Sequence, residues 1–190
     1  MSNSFEDYTD QFFWDFKRMD NVNYNFRIVE LLYTEKKKSN NPHFIKPIMI
    51  ILISIIECML YDFIIRVQTH NADKIPNLEQ CIIDSIKTKE IDQFETIIAQ
   101  VKKQNLLRAS PSSSSSVYSD LDLLRKIRNR IHIQNAQQDL NKDEYNVFTQ
   151  GNLELAEKML ERVCEVLCNV YPRWKKQPLL MADFPRIWLG

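Results

Sequence analysis

The sequence "FIKPIMIILISIIECMLYDFII", residues 44–65, is the most apolar stretch of the chain and decides its fold class. Its length approaches that of a membrane-spanning helix, but Lys46, Glu57 and Asp62 interrupt it. A helix that is apolar almost all round is more simply the central helix of a bundle, where several neighbours cover it. Pro47 then lies in the first helical turn, where a missing amide hydrogen does no harm. We therefore expect a buried central helix and no membrane span.

The composition excludes several classes of protein. A chain of 190 residues is long enough for one sizeable core, so a single domain is expected. Its 25 basic and 25 acidic residues balance, so any nucleic-acid site must be local. Loops that cradle phosphates need several glycines close together, and this chain has only 2, which nearly excludes Walker-type and Rossmann-type nucleotide sites. So few glycines also suit helices joined by short polar turns.

The four cysteines, Cys58, Cys81, Cys164 and Cys168, lack the spacing of a zinc ribbon. The acidic and aromatic start of the chain does not resemble a secretory signal. We interpret the cysteines as reduced core residues of a cytoplasmic protein that has no metal and no cofactor. The alternative is a metal bound by Cys164 and Cys168, which lie one helical turn apart.

Helical periodicity continues on both sides of the central segment. Apolar residues spaced three and four apart predict helices over residues 4–19, 22–37, 77–87, 90–104, about 120–134 and 152–171. The expected architecture is an all-α, single-domain helical bundle with long central and C-terminal helices. We divide it into an N-terminal aromatic helix (1–21), the bundle (22–171, with a mobile Ser-rich loop at 108–119) and a C-terminal tail (172–190) that packs on the body or on a partner.

The stretch "LRKIRNRIHIQN", residues 124–135, concentrates four basic residues and a histidine in an electrically neutral chain. On a helix continuing to residue 134, an apolar arc would be buried, formed by Leu123, Leu124, Ile127 and Ile131. Arg125, Arg128 and His132 then fall within roughly 60° of one another beside that arc, and Asn129 flanks them. The helix is therefore predicted to carry two guanidinium groups and one imidazole on a single ridge between core and solvent.

This grouping has a chemical use in the cleavage of RNA without a metal. An arginine fork binds phosphate oxygens in a bidentate manner, and a histidine transfers a proton near neutral pH. The 2′-hydroxyl would attack the adjacent phosphorus while the histidine handles a proton and an arginine stabilises the added negative charge. A second proton-transfer group is also required, and a second copy of the same helix across a twofold axis would supply it. These residues therefore favour a homodimer.

"RKIRNRIH" on the penultimate helix, followed by "DEYNVFTQGNLELAEKMLERV", resembles the HEPN superfamily over residues 22–171. The resemblance implies a small helical bundle, and many members are metal-independent ribonucleases that act as toxins, in phage defence or in RNA processing. It implies catalytic roles for Arg128, Asn129 and His132. The family places four to six residues between arginine and histidine; here three separate Arg128 from His132, whereas six separate Arg125 from His132. Arg125 is therefore expected to be a second phosphate contact.

The predicted function is that of a cytoplasmic, homodimeric endoribonuclease that cleaves single-stranded RNA, as a defence or stress toxin with a protein antitoxin or inhibitor. The alternative is a non-catalytic HEPN-like module that binds nucleotide, RNA or a protein partner. A third interpretation is a structural dimer in which acidic residues neutralise the basic ridge. If Glu57 is buried, it needs a partner, and we expect that partner to be Arg125 or Arg128. The pair would be either a structural salt bridge or a contact by which Glu57 orients the active arginine. Lys36, Lys37 and Lys38 are interpreted as a solvated helix end, with steering of RNA as the alternative.

Overall fold

The computed structural model describes residues 4–108, 114–131 and 143–173, together with 185 and 188. Within these ranges the protein is all-helical and contains no strand, which confirms the predicted fold class. The helices are α1 (Phe5–Phe12), α2 (Phe16–Ser39), α3 (Ile45–Thr69), α4 (Gln80–Ile86), α5 (Phe94–Lys103), α6 (Ser114–Asn129) and α7 (Gln150–Asn169). Short 3-10 turns lie at Pro42–Phe44, Ala72–Lys74 and Glu144–Asn146.

The helix α3 is the centre of the bundle, as its apolar sequence predicts. It packs against α2, α4, α5, α6 and α7, and the side chains of Ile48, Leu52, Ile56 and Leu60 are fully buried. The segment Pro42–Thr69 is long and apolar enough to cross a membrane by length and composition alone, but 61% of its most apolar window is buried inside the protein. This burial is what a core helix requires.

The N-terminal segment differs from its prediction, because the single helix expected over residues 4–19 is two helices. The chain turns between them, and Asp62 of α3 accepts hydrogen bonds there from the backbone amides of Trp14 (2.7 Å) and Asp15 (3.2 Å). Asp15 then caps the start of α2. A buried carboxylate far away in the sequence therefore stabilises the break. The boundary that we placed after residue 21 falls inside α2.

The helix α6 begins at Ser114, inside the stretch 108–119 that was predicted to be a mobile loop. Residues 114–119 are therefore helical and not a loop, whereas residues 109–113 lie outside the described part of the chain. Tyr118 is buried, and its hydroxyl donates a hydrogen bond to the side chain of Asn105 (2.9 Å). This contact attaches the N-terminal part of α6 to the rest of the protein, and the segment is helical despite its serine-rich composition.

The C-terminal helix α7 begins after Thr149, whose side chain caps it, and carries a broad buried face. Beyond it, the amide of Arg173 donates to the carbonyl of Gln11, and the ring of Trp188 lies 6.3 Å from that of Tyr33. At these two points the tail contacts the body. Residues 174–184, 186–187 and 189–190 lie outside the described residues.

The four cysteines are free thiols. Cys164 and Cys168 are buried in α7, as predicted, and Cys58 is half-buried. Cys81 is exposed, so its assignment to the core was wrong: α4 packs through Ile83 and Ile86, which leaves Cys81 on the outer side. In the described ranges, no group of three or more histidine, cysteine or acidic side chains is arranged to hold a metal ion.

Candidate functional site

A cleft of about 340 Å³ opens where α3, α5 and α6 meet. It is lined by Glu57 of α3, residues 92–95 at the start of α5, and Arg125, Arg128 and Asn129 of α6. Four residues singled out from the sequence, Arg125, Arg128, Asn129 and Glu57, are therefore brought together at one solvent-open site. We call it the arginine cleft.

The register of α6 places its arginines at this cleft. Leu121, Leu124 and Ile127 are fully buried and recur every three residues, which fixes one face of α6 against the core. At 100° per residue, Arg125 and Arg128 lie within about 40° of Leu121 around the helix axis, so both are on the side of α6 that faces the body and are only 14% and 35% exposed. The helix thus puts both guanidinium groups on the border between the core and the cleft.

Arg128 is held by Glu57. Its Nη2 atom lies 2.6 Å from Oε2 of Glu57, and its Nη1 lies 3.5 Å from Oδ1 of Asn129, at the limit of a hydrogen bond. The side chain of Arg128 is 35% exposed, whereas that of Glu57 is 20% exposed. Burial raises the pKa of Glu57, although the neighbouring charge of Arg128 acts in the opposite direction. The guanidinium is therefore oriented by a half-buried carboxylate while part of the side chain remains open to solvent.

Arg125 is held more firmly than Arg128. Its Nε and Nη2 atoms contact Oδ1 of Asp122 at 2.9 and 2.8 Å, and Nη1 lies 3.2 Å from Oε2 of Glu95. Burial acts to raise the pKa of Asp122, but the hydrogen bonds and charges of Arg125 and Lys126 together outweigh it, so that pKa is lowered. The Arg125 side chain is only 14% exposed, whereas Glu95 is 65% exposed. Glu95 is therefore the loosely held partner of Arg125.

His132 lies outside the described residues, and the helix expected to place it beside Arg128 ends before it. The helix was expected to continue to about residue 134, but α6 ends at Asn129. The amides of Arg130 and Ile131 donate to carbonyls three residues back, and Ile131 is 48% exposed instead of buried. Arg125 and Arg128 lie on α6 as predicted, whereas the placement of His132 on the same ridge lies outside the described residues.

The sequence did not reveal the acidic side of the cleft. Asp92, Gln93 and Glu95 line it, and they belong to "KEIDQFE", which spans the start of α5. Only the packing of α5 against α6 brings them beside the arginines. The lining holds three carboxylates and two guanidinium groups, so the unliganded cleft is not strongly cationic. Both arginines are paired with carboxylates, as the interpretation of the protein as a structural dimer predicted. The cleft is nevertheless open to solvent, which ligand binding requires.

This arrangement can bind an anion at the exposed part of Arg128, with Arg125 available where Glu95 withdraws. Guanidinium groups recognise phosphate and carboxylate by paired hydrogen bonds, and a fixed orientation favours such recognition. The metal-free chemistry expected from the sequence needs this anion site and, in addition, a group that transfers protons. No protein-family model, no curated protein and no solved structure matches this chain.

Proposed function

We propose that the arginine cleft binds the phosphodiester of single-stranded RNA and that the protein is a metal-independent endoribonuclease of the HEPN type. The resemblance of "RKIRNRIH" to that superfamily supports this proposal. So does one structural observation: Glu57, Arg125, Arg128 and Asn129 line a single open cleft in which Arg128 is oriented and still a third exposed. The proposed setting is a cytoplasmic homodimer that acts as a defence or stress toxin, with an antitoxin or inhibitor protein as partner.

In the proposed reaction, the 2′-hydroxyl oxygen attacks the adjacent phosphorus and forms the new P–O2′ bond while the P–O5′ bond breaks. The proton of the 2′-hydroxyl goes to a base, and the departing 5′-oxygen receives a proton from an acid. His132 is assigned to this proton transfer, with the second group supplied by the other protomer. Arg128 stabilises the charge that develops on the phosphoryl oxygens, and Asn129 flanks it.

Displacement of Glu95 by the substrate is the step that the charge distribution demands. Glu95 is 65% exposed and contacts Arg125 through a single nitrogen, so a phosphate that binds Arg125 in a bidentate manner can replace this carboxylate. Glu57 is far less exposed and is expected to stay with Arg128. Glu57 would then orient the guanidinium, whereas Glu95 would be exchanged for substrate.

The test is an RNA cleavage assay in the presence of a metal chelator. The wild-type protein should cut unstructured RNA and leave 2′,3′-cyclic phosphate ends. His132→Ala should abolish cleavage while RNA binding and the oligomeric state persist, and Arg128→Gln should reduce both binding and cleavage. Cleavage that requires an added metal ion, or that survives in His132→Ala, would contradict the proposed mechanism. Lys38→Gln, at an exposed position on α2, is a matched loss of one cation outside the cleft.

One observation favours the alternative of a non-catalytic module: the carboxylates at the cleft outnumber its arginines. Such a module would bind nucleotide, RNA or a protein partner and would not turn it over. If RNA is the ligand, its affinity should fall with salt, because each phosphate contact releases counterions. Salt-sensitive binding without cleavage under any metal condition would support this alternative over the ribonuclease.

A further inference from the structure

A second pocket, of about 280 Å³, lies where the chain before α3 meets the chain before α7. It is lined by Pro42, His43, Lys46, Glu144, Tyr145 and Phe148. Four of these six side chains contain rings, of which those of Tyr145 and Phe148 are flat and largely apolar, and Lys46 and Glu144 add two charged groups. Its volume is at the lower end of small-molecule pockets, and it suits one planar group better than a folded ligand.

Tyr145 is the unusual member of this pocket. Its side chain is 76% exposed, the most exposed large hydrophobic side chain in the described residues. Beside it, the ammonium of Lys46 lies 5.2 Å from the centre of the Phe148 ring and 2.6 Å from Oε2 of Glu144. An exposed ring next to a cation that is already held in place is the arrangement on which nucleic-acid bases stack.

Polar groups continue from this pocket into a smaller one of about 150 Å³, which shares Pro42 with it. The smaller pocket is lined by the polar side chains of Lys36, Asn40, Asn41 and Gln150. The ammonium of Lys36 contacts the amide oxygen of Gln150 at 3.0 Å, and its positive charge also acts on the carboxylate of Glu157. Amide and ammonium groups beside ring walls provide hydrogen bonds for base edges and a contact for phosphate.

The position along α3 relates this pocket to the arginine cleft. Lys46 and Glu57 are eleven residues apart on one helix. At 100° and 1.5 Å per residue, they lie within about 20° of each other around the axis and about 16 Å apart along it. The ring-walled pocket and the arginine cleft are therefore three turns apart on the same side of α3. That distance corresponds to about five stacked nucleotides, and to fewer in an extended strand.

We infer that the ring-walled pocket is a base-binding subsite for single-stranded RNA, with Tyr145 as the stacking platform. This inference rests on the proposed function. A strand whose phosphate occupies the arginine cleft would run along α3 and place a base against Tyr145, while Lys36 contacts its backbone. The subsite would give the protein a preference for strands several nucleotides long over dinucleotides.

The test measures binding of 2′-O-methyl RNA, which cannot be cleaved by attack of the 2′-hydroxyl, in chelator and at one fixed salt concentration. Fluorescence anisotropy with a labelled octamer and a labelled dinucleotide separates the two sites, because only the octamer spans both. Tyr145→Ala should weaken octamer binding about tenfold and leave dinucleotide binding unchanged. Tyr145→Phe keeps the ring and should bind within twofold of wild type. Tyr24→Ala is the matched control, since Tyr24 is 65% exposed on α2 and does not line the pocket.

The outcomes for the subsite and for the ribonuclease are distinguishable. Octamer binding that is the same in Tyr145→Ala and wild type overturns the subsite, even if the wild-type protein cleaves RNA. Tyrosine-dependent octamer binding by a wild-type protein that does not cleave unmodified RNA supports the subsite and overturns the ribonuclease. If the wild-type protein binds neither oligonucleotide, both proposals fail.

Discussion

The strength of the Arg128–Glu57 ion pair decides whether Arg128 is available to a ligand or serves only the fold. Two opposite charges about 4 Å apart attract by about 4 kcal/mol at an effective dielectric constant of 20. Desolvation reduces this gain, as the raised pKa of Glu57 indicates. Exposed pairs contribute about 0.2–1 kcal/mol, whereas breaking a fully buried pair costs about 3–5 kcal/mol. With side chains 35% and 20% exposed, we expect an intermediate coupling of about 1–2 kcal/mol.

A double-mutant cycle measures this coupling directly. The free energy of unfolding in denaturant is determined at pH 7 for the wild-type protein, Arg128→Gln, Glu57→Gln and the double variant. The matched control is the Lys38–Glu35 pair of α2, whose side chains are 66% and 56% exposed and whose coupling should stay below about 0.5 kcal/mol. A coupling above about 3 kcal/mol for Arg128 and Glu57 would contradict a role for Arg128 in ligand binding, because a guanidinium bound so tightly would be a structural element of the core.

Three further predictions concern the carboxylates of Glu57, Asp62 and Glu95. The raised pKa of Glu57 means that the folded state binds the proton of this carboxyl more tightly than the unfolded state does, so the group stabilises the fold at low pH. As the pH rises from about 4.5 through the raised pKa, the unfolding free energy of the wild-type protein should fall relative to that of Glu57→Gln. Denaturation of both proteins across that pH range measures the difference. Asp62→Ala removes the acceptor of two backbone amides and one guanidinium, and should lower the unfolding free energy by about 3 kcal/mol and the melting temperature by about 6–12 °C; a drop below about 2 °C would contradict it. Glu95→Gln removes the carboxylate that competes with phosphate for Arg125, so it should tighten binding of uncleavable RNA by about two- to fivefold, and weaker binding would argue against displacement.

The sequence predicted the features of this fold that depend on local periodicity. The helix α3 has apolar residues on nearly every face, and only a central position buries them all. The buried residues of α6 recur at helical spacing, so the grouping of Arg125 and Arg128 on one side of that helix followed from counting residues. Local patterns of this kind also predicted that Glu57 would need an arginine partner, because a carboxylate inside an apolar run requires one.

The features that the sequence did not predict depend on contacts between distant segments. The break between α1 and α2 is stabilised by Asp62, almost fifty residues further along the chain. The acidic side of the arginine cleft exists because α5 packs beside α6, and nothing in "KEIDQFE" specifies that neighbour. The first turns of α6 were assigned to a loop because serine is common in linkers, yet Tyr118 anchors them to Asn105. In each case a tertiary contact determined the structure, whereas the prediction used only the local sequence.

The end of α6 at Asn129 changes what the spacing between Arg128 and His132 means. On a continuous helix, four positions place two side chains on one face about 6 Å apart, and the spacing then decides whether they can act together. Once the helix ends between them, the spacing in sequence no longer fixes their relative orientation. The short spacing between Arg128 and His132 is therefore weaker evidence against catalysis. The expected position of both residues on one helical face is also no longer evidence for catalysis. Anion binding by Arg128 and proton transfer by His132 become independent hypotheses: loss of binding in Arg128→Gln tests the first, and retained binding without cleavage in His132→Ala tests the second.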